Sequence, residues 1–131
     1  MDRSTVTAIA LSLLSLPFLV PHVLEDFRLG IAARAGLSTP LGAAALGAFL
    51  AVQMLGLVWA GQGRRLGLAM TALAGALWTA GSLWEHGPEF LGRGLAFRSS
   101  VLSALWVVGL TLGQAGSAVS ALLALRGPWL R

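Results

Sequence analysis

The chain has 131 residues, 56% of them hydrophobic and 11% charged, with nine arginines, five acids and a formal charge of +4; its mean hydropathy is +0.81. Soluble domains carry about a quarter charged residues, so a water-soluble globule is excluded, and the lack of Cys excludes disulfides, thiolate metal sites and thiol catalysis. The arginines are scattered over the ends of apolar segments, as membrane anchors are, and form no single basic face of the kind nucleic acid requires.

Lys, Asn and Tyr are also absent. A GC-rich, bacterial-type coding sequence accounts for that bias and for the pI near 11.7, so neither carries a functional meaning. Four apolar stretches, approximately 4–26, 41–61, 65–86 and 100–125, approach or exceed the roughly 20 residues that cross about 30 Å of hydrocarbon. The fold class they predict is an all-α integral membrane protein, a four-helix transmembrane bundle. The connections are short, and 1–131 forms one domain.

The first stretch starts after Arg3 and stays apolar to Val20. It has no A-x-A-like cleavage site and leads into acids, which predicts an uncleaved signal-anchor helix in a multi-pass protein of the cell's inner (plasma) membrane. Pro17 and Pro21 loosen it and free backbone carbonyls just below His22. Positions i, i+3 and i+4 share a helix face, so His22, Glu25 and Asp26 project together. Gly30 is placed to cap the helix, extending it to about Leu29. Segment 27–39, with Phe27, Ile31 and Leu37 beside Arg28 and Arg34, fits a short amphipathic stretch on the outer interface.

Ser38-Thr39-Pro40 reads as a cap followed by proline at the start of the second helix. Gly42, Ala45, Gly47, Gly56 and Ala60 give that helix a small-residue surface, and Gln53 is a strong polar group at membrane depth. The third helix begins after the turn Gly61-Gln62-Gly63-Arg64-Arg65. It is predicted to stop at His86, because Gly87 can take a left-handed cap conformation and Pro88 does not continue a helix; Glu89 then folds back toward the cluster. Ser99 or Ser100 starts the fourth helix, which contains Gln114. The two glutamines either hydrogen-bond between the second and fourth helices, worth ~0.6 kcal/mol, or face a cavity below the cluster. Gly67, Thr71, Gly75, Thr79 and Gly109, Gly113, Ser117, Ala121 form four-residue ladders that let helix backbones approach. They are expected to pack on one another, on a second copy in a homo-oligomer, or within a larger membrane complex. Trp59, Trp84 and Trp129 fit interfacial belts, while Trp78 and Trp106 lie deeper, as lipid-facing, packed or pocket-lining rings.

Arginines in short loops set orientation. With both termini inside (N-in/C-in), the inner face holds Arg3, Arg64, Arg65, Arg126 and Arg131 with Asp2. The outer face holds Arg28, Arg34, Arg93 and Arg98 with Glu25, Asp26, Glu85 and Glu89. That is +4 inside and zero outside, together the net +4. At 1.5 Å per residue His22 stands roughly 27 Å above Ser4, and Glu85 roughly 30 Å above Arg65. His22, Glu25, Asp26, Glu85 and His86 therefore meet at the outer edge of the hydrocarbon, where the C-terminal dipoles of the first and third helices favour a cation.

Imidazoles with carboxylates are a ligand set for Zn, Fe, Mn or Cu, which makes those five residues candidate metal ligands. His–carboxylate pairs are also acid–base equipment, with Glu25, Asp26 and Glu85 as the candidate catalytic groups on a lipid-soluble substrate. A haem held by His22 and His86 is the weakest of the three readings, resting on the pair alone. The plain alternative is that charge gathers where helices leave the membrane because water is there. His22 with Asp26 resembles the use of His and acidic residues in the emopamil-binding group of four-helix sterol-processing and sterol-binding proteins. That likeness covers residues 22–26 and no second motif, so no activity is carried over. Three functions remain open: a binding protein for a metal ion or small cation, a membrane enzyme, and an accessory subunit. A channel is disfavoured, since the inner half supplies no ionisable relay, and phosphate-loop, G-x-S-x-G and H-E-x-x-H motifs are absent.

Overall fold

The computed structural model of the chain describes residues 1–94 and 100–127. Helices are α1 (Arg3–Leu14), α2 (Leu16–Arg28), α3 (Ile31–Arg34), α4 (Thr39–Gly61), α5 (Arg65–Arg93) and α6 (Val101–Arg126). Four spans are long and apolar enough to cross a membrane: Arg3–Arg28, which takes in α1 and α2, and then α4, α5 and α6. Arg98, Arg131, Trp129 and Ser99 lie outside the described residues.

Helix starts follow local chemistry. Asp2 accepts the Thr5 backbone N–H at 2.9 Å and the Thr5 hydroxyl at 2.8 Å, and these bonds, the backbone one foremost, hold its carboxyl below the usual range. Ser38 and Ser100 cap α4 and α6 in the same way, and Gly30 ends α2 in the left-handed region at φ 80°. Pro17 divides the first span: it lacks the N–H that would bond the Leu13 carbonyl, and Ser15 marks the break. Pro21 remains inside α2.

The third span departs from expectation. Instead of stopping at His86, α5 runs through Pro88 to Arg93, and Gly87 is not among the glycines with positive φ. Pro88 removes a single backbone bond, to the carbonyl of Trp84, on the exposed side of the helix, where Trp84 is 87% accessible. Two residues later Phe90 packs on Ala104 and Val107 of α6, which keeps the extension against the bundle. Glu89 therefore lies one turn up the same helix and pairs with Arg93 at 3.8 Å.

The four spans pack in the order α1/α2, α6, α5, α4. The small-residue ladders make this possible within one chain, along a different division than expected. A Cβ on Gly67 would overlap the backbone of Trp59 and Ala60 in α4, and one on Gly75 would lie 2.6 Å from the Gln114 carbonyl oxygen in α6. Gly109 and Gly113 face the first span instead, against Phe18 and Ser15. The α5 ladder thus serves two neighbours, and the α6 ladder serves a third.

Along the axis the interior forms three layers. At the arginine end Ala8, Ala60, Leu68, Ala72, Ala121 and Ala124 pack together, and Arg65 closes this end by donating to the Leu125 carbonyl at 3.0 Å. Amides fill the middle. Gln53 donates to Ser12 Oγ at 2.9 Å and to Gln114 Oε1 at 3.4 Å, and accepts from Trp78 Nε1 at 2.8 Å. Gln114 donates to Ser15 Oγ at 2.7 Å. This layer ties four helices with satisfied bonds, as a buried polar group requires. The third layer contains the histidines.

Candidate metal centre

His22 and Asp26 are one turn apart on α2, and Asp26 Oδ2 lies 3.3 Å from His22 Nε2. His86, on α5, brings its Nε2 to 3.7 Å from the same oxygen. The two imidazoles meet edge to face with centroids 4.9 Å apart. Ligand atoms of all three residues fall within 4.8 Å of one another, and both histidines are 3% exposed. In a tetrahedral site with bonds near 2.1 Å, neighbouring ligand atoms stand about 3.4 Å apart. The two carboxylate–imidazole spacings lie near that edge, and His22, Asp26 and His86 are grouped closely enough to hold one ion. A haem does not fit between the histidines, because rings in edge contact leave no room for a macrocycle between them.

The other two carboxylates point elsewhere. Glu25 accepts the Ser103 hydroxyl of α6 at 2.6 Å, which ties the start of α6 to α2. Glu85 pairs with Arg34 of α3, and Arg34 also donates to the Leu29 carbonyl at 3.0 Å. The cluster of five read from the sequence thus resolves into a trio and two ties between helices. The dipole argument narrows as well: with α5 extended to Arg93, only the C-terminal end of α2 lies close to the trio.

A cavity of about 310 Å³ opens beside the trio, lined by His22, Asp26 and His86 together with Phe49, Trp78 and Gly81 among others. It exists because, among the described residues, α2 and α4 barely touch: α3 carries the chain across the gap and places Ile31 on the cavity wall. Trp78 was placed at depth by its position in the span; its indole forms part of the wall while its N–H is held by Gln53. Phe49, Gly81 and Ser82 carry no local signal, since nothing in a span's own sequence says which neighbour stands opposite. A second, almost wholly apolar cavity of about 220 Å³ lies on the far side of His86, between α5 and α6.

Fold and cluster together define a helical protein with four membrane-length spans and a buried His/His/Asp group able to hold a metal ion. No family model, curated protein or solved structure matches the chain.

Proposed function

We propose that this is an integral membrane protein of the inner (plasma) membrane, N-in/C-in, that binds a divalent transition-metal ion through His22, Asp26 and His86 near the outer face. The observation that carries the reading is the convergence of three potential ligand atoms from α2 and α5 within 4.8 Å. Two imidazoles and one carboxylate suit Zn or Fe(II) and leave coordination positions open; Mn and Cu are compatible with the same donors.

The test is elemental analysis of detergent-purified protein after metal loading and desalting, wild type beside a His22→Ala/His86→Ala double variant with matching helical circular dichroism. Wild type should hold about one ion per chain and the double variant none. Metal-free wild type, or equal metal in both, sinks the reading.

A second reading, metal-assisted or acid–base chemistry on a lipid-soluble substrate, is favoured by the cavity beside the trio. Asp26 would serve there as ligand or base, because the Glu25 and Glu85 carboxylates are engaged by Ser103 and Arg34.

A further inference from the structure

Three protein ligands leave at least a fourth position on a zinc-like ion, and in this fold that position has a defined outlook. His22, Asp26 and His86 all border the 310 Å³ cavity, whose remaining walls include Leu46, Phe49, Leu77 and Leu110. The other polar side chains on the wall have partners of their own. The Trp78 indole N–H is taken by Gln53, the Ser82 hydroxyl by Thr111 at 2.6 Å, and the Glu85 carboxylate by Arg34. With Glu85 tied to Arg34, the trio is the polar focus of a mostly apolar space.

We propose that this cavity takes a single-headed, lipid-soluble ligand whose oxygen-donor head group completes the coordination of the ion held by the trio. The inference rests on the metal reading above and adds the ligand class to it. A single polar focus selects one polar end, and apolar walls select a hydrocarbon remainder. The volume lies at the lower limit of the roughly 300–1,000 Å³ typical of small-molecule sites. It accommodates a short chain or compact ring system. Entry is lateral, on the flank where Leu77 is 52% exposed and where a side chain at Gly81 would meet nothing within 4 Å.

That open space supplies a clean variant. Gly81→Leu adds four carbons at the cavity wall, the first of which meets nothing within 4 Å, and changes no member of the trio. The experiment titrates Co²⁺-loaded full-length protein with octanohydroxamate and with acetohydroxamate, following the visible cobalt bands. Both probes should perturb the bands in wild type. In Gly81→Leu the octyl probe should weaken at least about tenfold, a steric discrimination within the range of shaped apolar pockets, while Co²⁺ uptake and acetohydroxamate binding stay as in wild type. If Co²⁺ binds but octanohydroxamate leaves the bands unchanged, or acts equally on wild type and Gly81→Leu, the ligand inference is overturned and the metal reading stands. If wild type takes up no Co²⁺, the metal reading falls and takes this inference with it.

Discussion

At the scale of single residues, the decisive contrast is between Asp26 and Glu25, neighbours in sequence that face different partners. From spacing alone both are acceptable companions of His22, at i+4 and i+3. The structure separates them: Asp26 Oδ2 faces both imidazoles, and Glu25 reaches sideways to Ser103. Asp26→Asn keeps the shape and removes the anionic donor, so metal affinity should fall by about 10–100-fold or more, since even outer-shell changes at metal sites cost that much. Glu25→Gln should leave metal affinity as in wild type. Competition with a chromophoric chelator measures both, and equal losses would show that general negative charge, not coordination, holds the ion. The place where His22, Asp26 and His86 come together was therefore legible in the sequence, where both histidines of the chain fall at the same predicted depth. The choice of carboxylate was not, because it depends on α6 offering Ser103 from 78 residues away.

At the scale of elements, the starts of the spans were legible because they rest on local capping chemistry: Ser38 before Thr39-Pro40, and Ser100 before Val101. The end of α5 was not. Pro88 is a local signal to stop, and tertiary packing of Phe90 against α6 overrides it. The glycines divide on the same principle, since their sequence spacing does not tell which ones touch another helix. A Cβ at Gly67 would collide with α4 backbone, which does not yield as a flexible side chain does, whereas a Cβ at Gly81 meets nothing. Gly67→Ala should therefore destabilise the bundle by about 1–3 kcal/mol, the usual effect of overpacking. Gly81→Ala should be neutral or stabilise by up to about 1 kcal/mol through backbone entropy. Unfolding in mixed detergent followed by circular dichroism compares the two, and similar losses at both positions would contradict the α4–α5 contact described here.

At the scale of the whole molecule, the charged side chains among the described residues lie toward the two ends and leave the middle of the bundle to alanines, amides and serines. The layered interior explains why a trio of ionisable groups is tolerated: it sits beyond the amide layer, one or two turns from the helix end, where α2 and α4 part. Which end faces the cytoplasm decides whether the trio meets the outside or the inside of the cell. The proposed N-in/C-in arrangement rests on five arginines against four, with Arg64 and Arg65 adjacent in the tight turn between α4 and α5. Replacing both with Ala reverses the count to three against four, and orientation follows short-loop arginines. Since the chain has no Cys, a single thiol reports each face without background. In intact cells, a membrane-impermeant maleimide should label Ala33→Cys, exposed on α3 at the trio's end of the bundle, and spare Gln62→Cys in the turn. Adding Arg64→Ala/Arg65→Ala should expose Gln62→Cys in a substantial share of molecules. Labelling of Gln62→Cys with both arginines present would place the trio on the cytoplasmic side, and the ion would then be drawn from the cytoplasmic pool instead of the outer medium.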